Sequence, residues 1–199
     1  MLTFPEGIYP TSCDWRLVHR TKAFKNPYNN QSQTLSLPGA YWHTKLQFAN
    51  LTRVQGKVMH AFVSNMQGMA GRVKLFDHAF SAPSGHGRGT PFVKGSNQTG
   101  NQVTIDGAEA GLFLASGDYC QIGEQLVILT QDASANASGE CVLNFQAALR
   151  RAPADGSPII VQQACAVMQF KDDNQGLRRS TKSRVLSGFS LDFVEDVST

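Results

Sequence analysis

Charged side chains are scarce in this chain. They make up 17% of the 199 residues, with a formal net charge of +3, whereas about 25% is usual for a globular domain. Structured nucleic-acid-binding proteins show a stronger basic footprint than this. The one basic cluster, residues 178–184 (Arg-Arg-Ser-Thr-Lys-Ser-Arg), is more typical of a solvated hairpin loop than of a phosphate-binding patch. Low charge favours a protein whose surface is partly covered by partners.

Closely spaced cysteines are also missing. Cys13, Cys120, Cys141 and Cys165 include no short pair, and a zinc site needs paired ligands at close spacing. Three of the four lie in apolar or strand-like runs, where a free cysteine behaves as a small buried hydrophobic residue. We therefore expect four reduced thiols and no bound metal or cofactor.

Long apolar runs and targeting signals are absent from the sequence. Residues 1–6 contain no basic region followed by an apolar stretch, which argues against a signal peptide. No segment approaches the roughly 18 apolar residues of a membrane span. We expect a chain that folds in a cytoplasm and does not bind a membrane.

The sequence contains no motif that predicts catalysis. Residues 84–89 (Ser-Gly-His-Gly-Arg-Gly) lack the Gly-Lys-Ser/Thr ending of a phosphate-binding loop, and a mobile loop is favoured. Asp77 and His78 are adjacent in the sequence, and adjacent residues in a strand point to opposite faces, so we do not expect this carboxylate and imidazole to meet. Residues 172–174 (Asp-Asp-Asn) lack the distal Glu of a calcium loop and predict a solvated turn. We expect no catalytic, cofactor-binding or metal-binding residues, and a protein that is not an enzyme.

One helix is predicted, over residues 52–67. Thr52 and Gln55 fit a capping box, and Gly68 is placed as the left-handed residue that ends the helix. Apolar residues at spacings of three and four predict a single buried stripe. The predicted stripe consists of Val54, Val58, Met59, Phe62, Val63 and Met66.

Period-two alternation predicts β-strands over most of the remaining chain. In residues 42–48, for example, Trp42 and Leu46 share the apolar face, and His43 lies on the polar face, where we expect it to be solvated. Residues 25–30 predict an exposed loop, residues 81–100, rich in Gly, Ser and Pro, a long loop, and residues 132–139 a small polar loop. The remaining strands are predicted at residues 13–17, 32–37, 73–76, 103–105, 111–113, 119–122, 125–129, 141–145, 159–161, 166–170 and 189–193. The pattern predicts a single mainly β domain over residues 1–199, a β-sandwich or β-barrel with one helix packed across an open side.

Several short motifs follow one another along the chain in a characteristic order. They are Phe4-Pro5, Trp15 on a strand, Asn26-Pro27-Tyr28-Asn29, Gln33 before Pro38-Gly39 and Trp42, the helix closing in Gly68-Met69-Ala70-Gly71-Arg72, and residues 93–100, 117–123, 132–139 and 149–156. This order resembles one protein family, the distal tail or baseplate-hub proteins of tailed bacteriophages. The resemblance covers nearly the whole chain, and its motifs are structural rather than catalytic.

The resemblance implies a β-sandwich or split barrel of the tail-tube type that assembles as a ring, commonly of six subunits. Such a ring would be a structural virion protein, made and assembled in the bacterial host cytoplasm, that joins the tail tube to the tail tip or baseplate. Its partners would be other copies of the chain and the tail-tube, hub and tape-measure proteins, while DNA only passes through the lumen. The loops at residues 25–30 and 81–100 would reach a neighbouring subunit.

Two other functions remain open from the sequence. A carbohydrate- or receptor-binding β-module of the tail tip would need exposed aromatic residues beside Asn and Asp, and Trp15, Tyr28, Tyr41 and Trp42 are the candidates. Both tryptophans lie on predicted core faces, which counts against this alternative. A tail-associated hydrolase would need paired carboxylates or an activated nucleophile, and the sequence predicts neither.

Overall fold

The computed structural model describes residues 1–177, 185–186 and 188–198. In these ranges the fold is mainly β with a single α-helix, and its sheets form a nearly closed, barrel-like β-sandwich. This confirms the predicted fold class. In chain order the elements are β1 (Leu2–Thr3), β2 (Ser12–Lys25), β3 (Ser32–Phe48), β4 (Leu51–Thr52), α1 (Arg53–Met66), a 3-10 turn (Gly68–Ala70), β5 (Val73–Phe76), β6 (Gly89–Val93), β7 (Gly100–Ala108), β8 (Gly111–Leu114), β9 (Tyr119–Ile122), β10 (Gln125–Leu129), β11 (Ala133–Ala135), β12 (Cys141–Leu149), β13 (Ile159–Ile160), β14 (Cys165–Phe170), β15 (Val185–Leu186) and β16 (Phe189–Glu195).

The first sheet joins the two ends of the described chain. Its six strands lie in the order β1-β5-β14-β16-β3-β2, antiparallel except for the parallel pair β1 and β5. Alternate residues of β3, among them Trp42, Leu46 and Phe48, are buried, as the period-two pattern predicts. They form one core with Leu191 and Phe193 of β16 and with the buried side of α1.

The second sheet, which we call the barrel sheet, is built from residues 89–161. Its strands lie in the order β13-β9-β10-β12-β7-β6, and its two outer strands approach each other at a bridge between Phe92 and Pro158. The Val93 N–H donates to the Ser157 carbonyl at 2.9 Å. The sheet therefore curls around its own apolar core, which includes Val103 and Leu143, and this leaves few unpaired edge groups.

Side chains from both sheets meet at the boundary between them. The Trp42 indole Nε1 donates to the Leu126 carbonyl of β10 at 2.8 Å, and the Gln121 side-chain oxygen accepts from the Cys165 N–H at 3.0 Å. The rings of Trp42 and Tyr119 pack edge to face, with centroids 5.5 Å apart. Because buried polar groups need partners, these bonds fix how the two sheets pack.

The helix begins as predicted and buries a narrower stripe than predicted. Thr52 is the N-cap of α1, and the capping box with Gln55 is present; the left-handed C-cap is Gln67, one residue before Gly68. Val54 and Val58 are 72% and 45% exposed, so their assignment to the stripe was wrong. Val58 lies about 100° around the helix from Met59, the centre of the buried face. The buried residues of α1 are Gly56, Met59, Phe62 and Met66.

His43 is buried, with 7% of its surface exposed, so the prediction of a solvated residue was wrong. β3 lies between β2 and β16, and Arg16 and Val194 stand opposite His43 in the register. The Arg16 Nε donates to His43 Nδ1 at 3.2 Å. Burial, followed by the positive charges of Arg16 and Lys171, lowers the pKa of His43 below its usual 6.5.

Two predicted loops contain strands. Residues 81–100 include β6, whose Val93 is fully buried, and residues 132–139 include β11, which pairs with β8. Local composition misses both strands because their partners lie elsewhere in the chain. The strands predicted separately at residues 32–37 and 42–48 are one strand: β3 continues through Pro38 and Gly39, and its register with β2 shifts beside them. The basic cluster at residues 178–184 lies outside the described residues.

Candidate interaction surface

Half of the hairpin formed by β2 and β3 projects from the first sheet as a two-stranded ribbon. Every residue from 19 to 36 is exposed, and the pairs from Arg20–Leu37 to Lys25–Ser32 link only these two strands. The neighbouring strand β16 pairs with β3 only from His43 onward. We call residues 19–36 the arm. An isolated two-stranded ribbon is at best marginally stable in water, so a partner surface would stabilise the arm.

The two faces of the arm differ in chemistry. Directly paired residues point to the same face, so one face presents basic and apolar side chains and the other mostly small ones. The first face includes Phe24, which is 59% exposed, and Leu35, which is 51% exposed. It consists of Arg20, Lys22, Phe24, Gln33 and Leu35, and Leu37 continues it just outside the arm. The second face consists of Thr21, Ala23, Lys25, Ser32, Thr34 and Ser36.

The tip of the arm is an ordered turn. The Asn26 side chain accepts from the Tyr28 N–H at 2.9 Å, and the Asn29 side chain accepts from the Gln31 N–H at 3.1 Å. These local side-chain bonds are the usual reason for Asn in tight turns. Tyr28 stands at the tip and is 96% exposed. The prediction of an exposed loop at residues 25–30 is confirmed.

A cleft lies at the root of the arm. It has a volume of about 500 Å³ and is lined by residues 36–40 on one side and by residues 146–150 at the end of β12 on the other. His19 and Asn101 also line it. The cleft separates the arm from the barrel sheet of the same molecule.

Helix α1 carries a second exposed apolar surface. Val54, Val58 and Ala61 follow one another at spacings of four and three, and all three are exposed. Arg53 and Lys57 stand beside them. The helix therefore presents an apolar stripe to solvent, flanked by positive charge.

The Gly-rich segment at residues 84–89 is held in place by a buried carboxylate. Asp118 accepts from the N–H groups of Ser84 at 2.7 Å, Gly85 at 3.1 Å and Ala115 at 2.8 Å. A Cβ on Gly85 would clash with the Phe113 carbonyl oxygen, which explains the glycine. The segment is therefore tied to the barrel, contrary to the mobile loop that its composition predicted.

One group of interacting side chains resembles a reactive cluster and consists of Cys13, Asp77 and Tyr119. The Tyr119 side chain hydrogen-bonds Asp77, and burial, followed by the charge of Asp77, raises the pKa of Tyr119. The same two causes raise the pKa of the Cys13 thiol to about 11. A nucleophilic thiol needs a lowered pKa, so this environment favours a protonated thiol. The carboxylate of Asp77 also accepts from the Ala79 N–H at 2.9 Å, an arrangement typical of a structural turn.

Asp172 and Asp173, which were considered as ligands of a cation, lie in a turn. Asp172 accepts from the Asn174 N–H, and Asp173 accepts from the Met69 N–H, each at 2.9 Å. Within the described ranges, no three His, Cys, Asp or Glu side chains are grouped so that they could hold a metal ion. The cysteines are free thiols. The one helix in this part of the chain, of 14 residues, is not long enough to cross a membrane.

The aromatic residues considered for glycan binding are not brought together. Trp42 is buried, and Trp15 is half-buried and packs against it with ring centroids 6.0 Å apart. Tyr41 is half-buried beneath the Arg20 guanidinium, which lies 5.9 Å from its ring centroid. Of the four candidates, Tyr28 is the exposed one, and it stands alone at the tip of the arm.

The sequence holds a signal for the arm that motif searching misses. No Asp or Glu occurs between Asp14 and Asp77, whereas nine Lys and Arg residues do. Such segregation of charge points to an interaction surface, but the low overall charge hides it.

The chain matches no protein-family model and no curated protein.

Proposed function

We propose that this chain is a structural virion protein of a bacteriophage tail. It forms a homo-oligomeric ring, commonly of six subunits, at the distal end of the tail tube, and connects the tube to the tail tip or baseplate. Other tail proteins, including the tube, hub and tape-measure proteins, are its neighbours. DNA only passes through the lumen of the ring, and the protein is not an enzyme and binds no membrane.

The exposed arm is the structural feature that supports this proposal. A projecting ribbon with exposed Phe24, Tyr28 and Leu35 is unfavourable for an isolated monomer and favourable for a subunit, because assembly covers the apolar side chains. β2 is also an outer strand of the first sheet, so its free edge can pair with another chain. The order of the sequence motifs supports a bacteriophage tail protein in particular.

The first experiment measures the oligomeric state of the purified chain by native mass spectrometry and negative-stain electron microscopy. The informative variant replaces residues 21–36 with an Asn-Gly turn, which removes only exposed residues. We expect rings from the natural chain and a folded monomer from the variant, with unchanged circular dichroism. A natural chain that stays monomeric at every concentration and does not enter virions would contradict the proposal.

A tail-tip module that binds a glycan or receptor is the second candidate, and the exposure of Tyr28 beside Asn26 and Asn29 favours it. In that case the monomer itself binds glycans, and Tyr28→Ala abolishes binding without changing the oligomeric state. Binding to a glycan array, measured for the natural chain and for the Tyr28→Ala variant, separates the two functions.

A further inference from the structure

Both edges of the arm are free in the described part of the chain. β2 is an outer strand of the first sheet, and β16 pairs with β3 only from His43 onward. Residues 20–25 and 32–36 therefore pair with each other and with no other described strand. A free edge presents N–H and C=O groups that can pair with another strand, so the arm can accept one strand on each side.

The hydrogen-bond pattern shows which backbone groups point outward. The Asn26 N–H donates to the Gln31 carbonyl at 2.8 Å, in register with the pairs of the arm. Bonded and non-bonded pairs alternate along an antiparallel ladder, so the next bonded pair is Phe24 with Gln33, and bonded pairs recur at every second residue. The residues between them direct their N–H and C=O groups away from the arm. They are Thr21, Ala23 and Lys25 on β2, and Ser32, Thr34 and Ser36 on β3.

The two edges differ in charge. The β2 edge, residues 20–25, carries all the formal charge of the arm, as Arg20, Lys22 and Lys25. Lysine is a common means of keeping an edge strand from pairing. The β3 edge, residues 32–36 (Ser-Gln-Thr-Leu-Ser), contains no charge, no proline and no register shift. It is therefore an unprotected edge.

Charge decides which edges are compatible. A symmetric contact between two β2 edges would bring the three positive charges of each copy together, and like charges across a strand pair are destabilising. A symmetric contact between two β3 edges avoids this repulsion but uses up the same edge on both copies, so it stops at a dimer. A contact between a β2 edge and a β3 edge avoids the repulsion and leaves one edge of each kind for the next copy.

We propose that the β3 edge of one arm pairs antiparallel with the β2 edge of the arm of a second copy. This inference rests on the proposed function and names the strands that meet between neighbouring subunits. The two edges differ, so the contact is head to tail, and such contacts close into rings when the rotation permits. The two strands of each arm run in opposite directions, so arms placed side by side in this way are antiparallel at every contact. The outward N–H and C=O groups of the arm then gain partners.

A change of sign on the β3 edge tests which edges meet. One variant carries Thr34→Glu and Ser36→Glu, and its matched control carries Thr34→Lys and Ser36→Lys. Both positions are exposed and stand opposite the uncharged Ala23 and Thr21 of their own arm, so the fold is preserved. We expect the Glu variant to lower the concentration for half-assembly about threefold or more and the Lys variant to raise it by a similar factor, because the neighbouring β2 edge is basic.

The two other pairings give different results. Like charges meet in a contact between two β3 edges, so both variants would then assemble more weakly. A contact between two β2 edges leaves both variants unchanged. Either result would overturn the proposed pairing.

Thiol crosslinking between two sets of chains locates the contact directly. Chains of the first set carry one added cysteine at residue 21, 23 or 25, and chains of the second carry one at residue 32, 34 or 36; all six positions are exposed. A short bifunctional thiol reagent should link chains of different sets and not chains of the same set. The linked positions should have residue numbers with a constant sum, as antiparallel pairing requires. The natural chain, with its four free thiols, gives the background.

The outcomes separate this inference from the ring itself. A natural chain that never forms oligomers counts against the ring. Rings in which links form only within one set, or in which the linked residue numbers have a constant difference, keep the ring and overturn the antiparallel contact between β2 and β3. Rings without any link above the background also overturn it.

Discussion

Arg150 and Glu195 form a two-bonded ion pair across the boundary between the two sheets. The Arg150 Nη1 lies 2.8 Å from Glu195 Oε1, and Nη2 lies 2.7 Å from Oε2. Nη2 also donates to the Ala40 carbonyl at 3.1 Å, and Glu195 Oε2 accepts from the Trp42 N–H at 2.9 Å. The Glu195 side chain is 1% exposed. One carboxylate therefore ties the end of the barrel to β3, beside the root of the arm.

We expect Arg150→Ala to lower the free energy of unfolding by about 3–5 kcal/mol, because it leaves a buried carboxylate without its cation. Urea unfolding of the purified chain measures the change. The control is Arg151→Ala, which removes an exposed neighbour and should change the stability by about 0.5 kcal/mol or less. Equal effects of the two substitutions would show that the ion pair does not stabilise the boundary.

The two tryptophans allow a second matched comparison. Trp42→Phe removes the Nε1 bond to the buried Leu126 carbonyl and should cost about 1–3 kcal/mol. Among the described residues, the buried Nε1 of Trp15 has no acceptor besides the Cys13 sulfur, which accepts weakly, so Trp15→Phe should cost less than about 1 kcal/mol. Thermal unfolding of both variants checks the order. A larger loss at Trp15 would contradict the assigned role of Trp42.

The buried His43 predicts how stability depends on pH. Its pKa is lowered by burial and by Arg16 and Lys171, with Asp192 and Asp14 opposing. The unfolded chain therefore takes up a proton as the pH falls through 6.5 before the folded chain does. The stabilising contribution is present above pH 6.5 and is lost as the pH falls through the lower folded value.

We expect the melting temperature to fall as the pH drops below 6.5, and His43→Gln to reduce that fall. His78, whose pKa is also lowered by burial, contributes the part that remains. The comparison is Gln47→Ala at an exposed position of the same strand, which removes no titratable group and should leave the pH profile unchanged. Parallel profiles for the His43 variant and the natural chain would exclude a role for this imidazole.

The period of the hydrophobic pattern and the helix-capping residues were enough to predict the elements that depend on local sequence. The capping box of Thr52 and Gln55 and the alternation of β3 are set by neighbours within a few residues. The burial of His43 was missed because side chains on two other strands cover it. β6 was missed because its pairing with β7 outweighs a composition typical of loops.

The sequence predicted the tip of the candidate surface and the strand after it, residues 32–37, but not that residues 20–25 pair with that strand as a projecting ribbon. The turn at Asn26 and Asn29 follows from local chemistry, whereas the length of the ribbon behind it depends on where β16 stops pairing with β3. No local pattern marks that point. The segregated charge between Asp14 and Asp77 was the available signal, and it becomes informative once the strands show which residues project.

The carboxylate of Asp118 anchors the segment that precedes β6. Three N–H groups, from Ser84, Gly85 and Ala115, share its carboxylate. Asp118→Ala leaves these donors without their acceptor and should cost about 3 kcal/mol or more. Asp132→Ala is the control, because Asp132 is exposed and accepts one bond, from Ser116 at 2.8 Å; it should cost about 1 kcal/mol.

Hydrogen exchange distinguishes local loosening from global unfolding in the Asp118 variant. The amides of Ser84 and Gly85 should exchange faster than in the natural chain by a larger factor than the amides of the barrel core at Val103 and Leu143, since the carboxylate holds the segment directly and the core only through it. A uniform increase at all four amides would mean that Asp118 stabilises the whole barrel. Unchanged exchange at Ser84 would contradict its anchoring role.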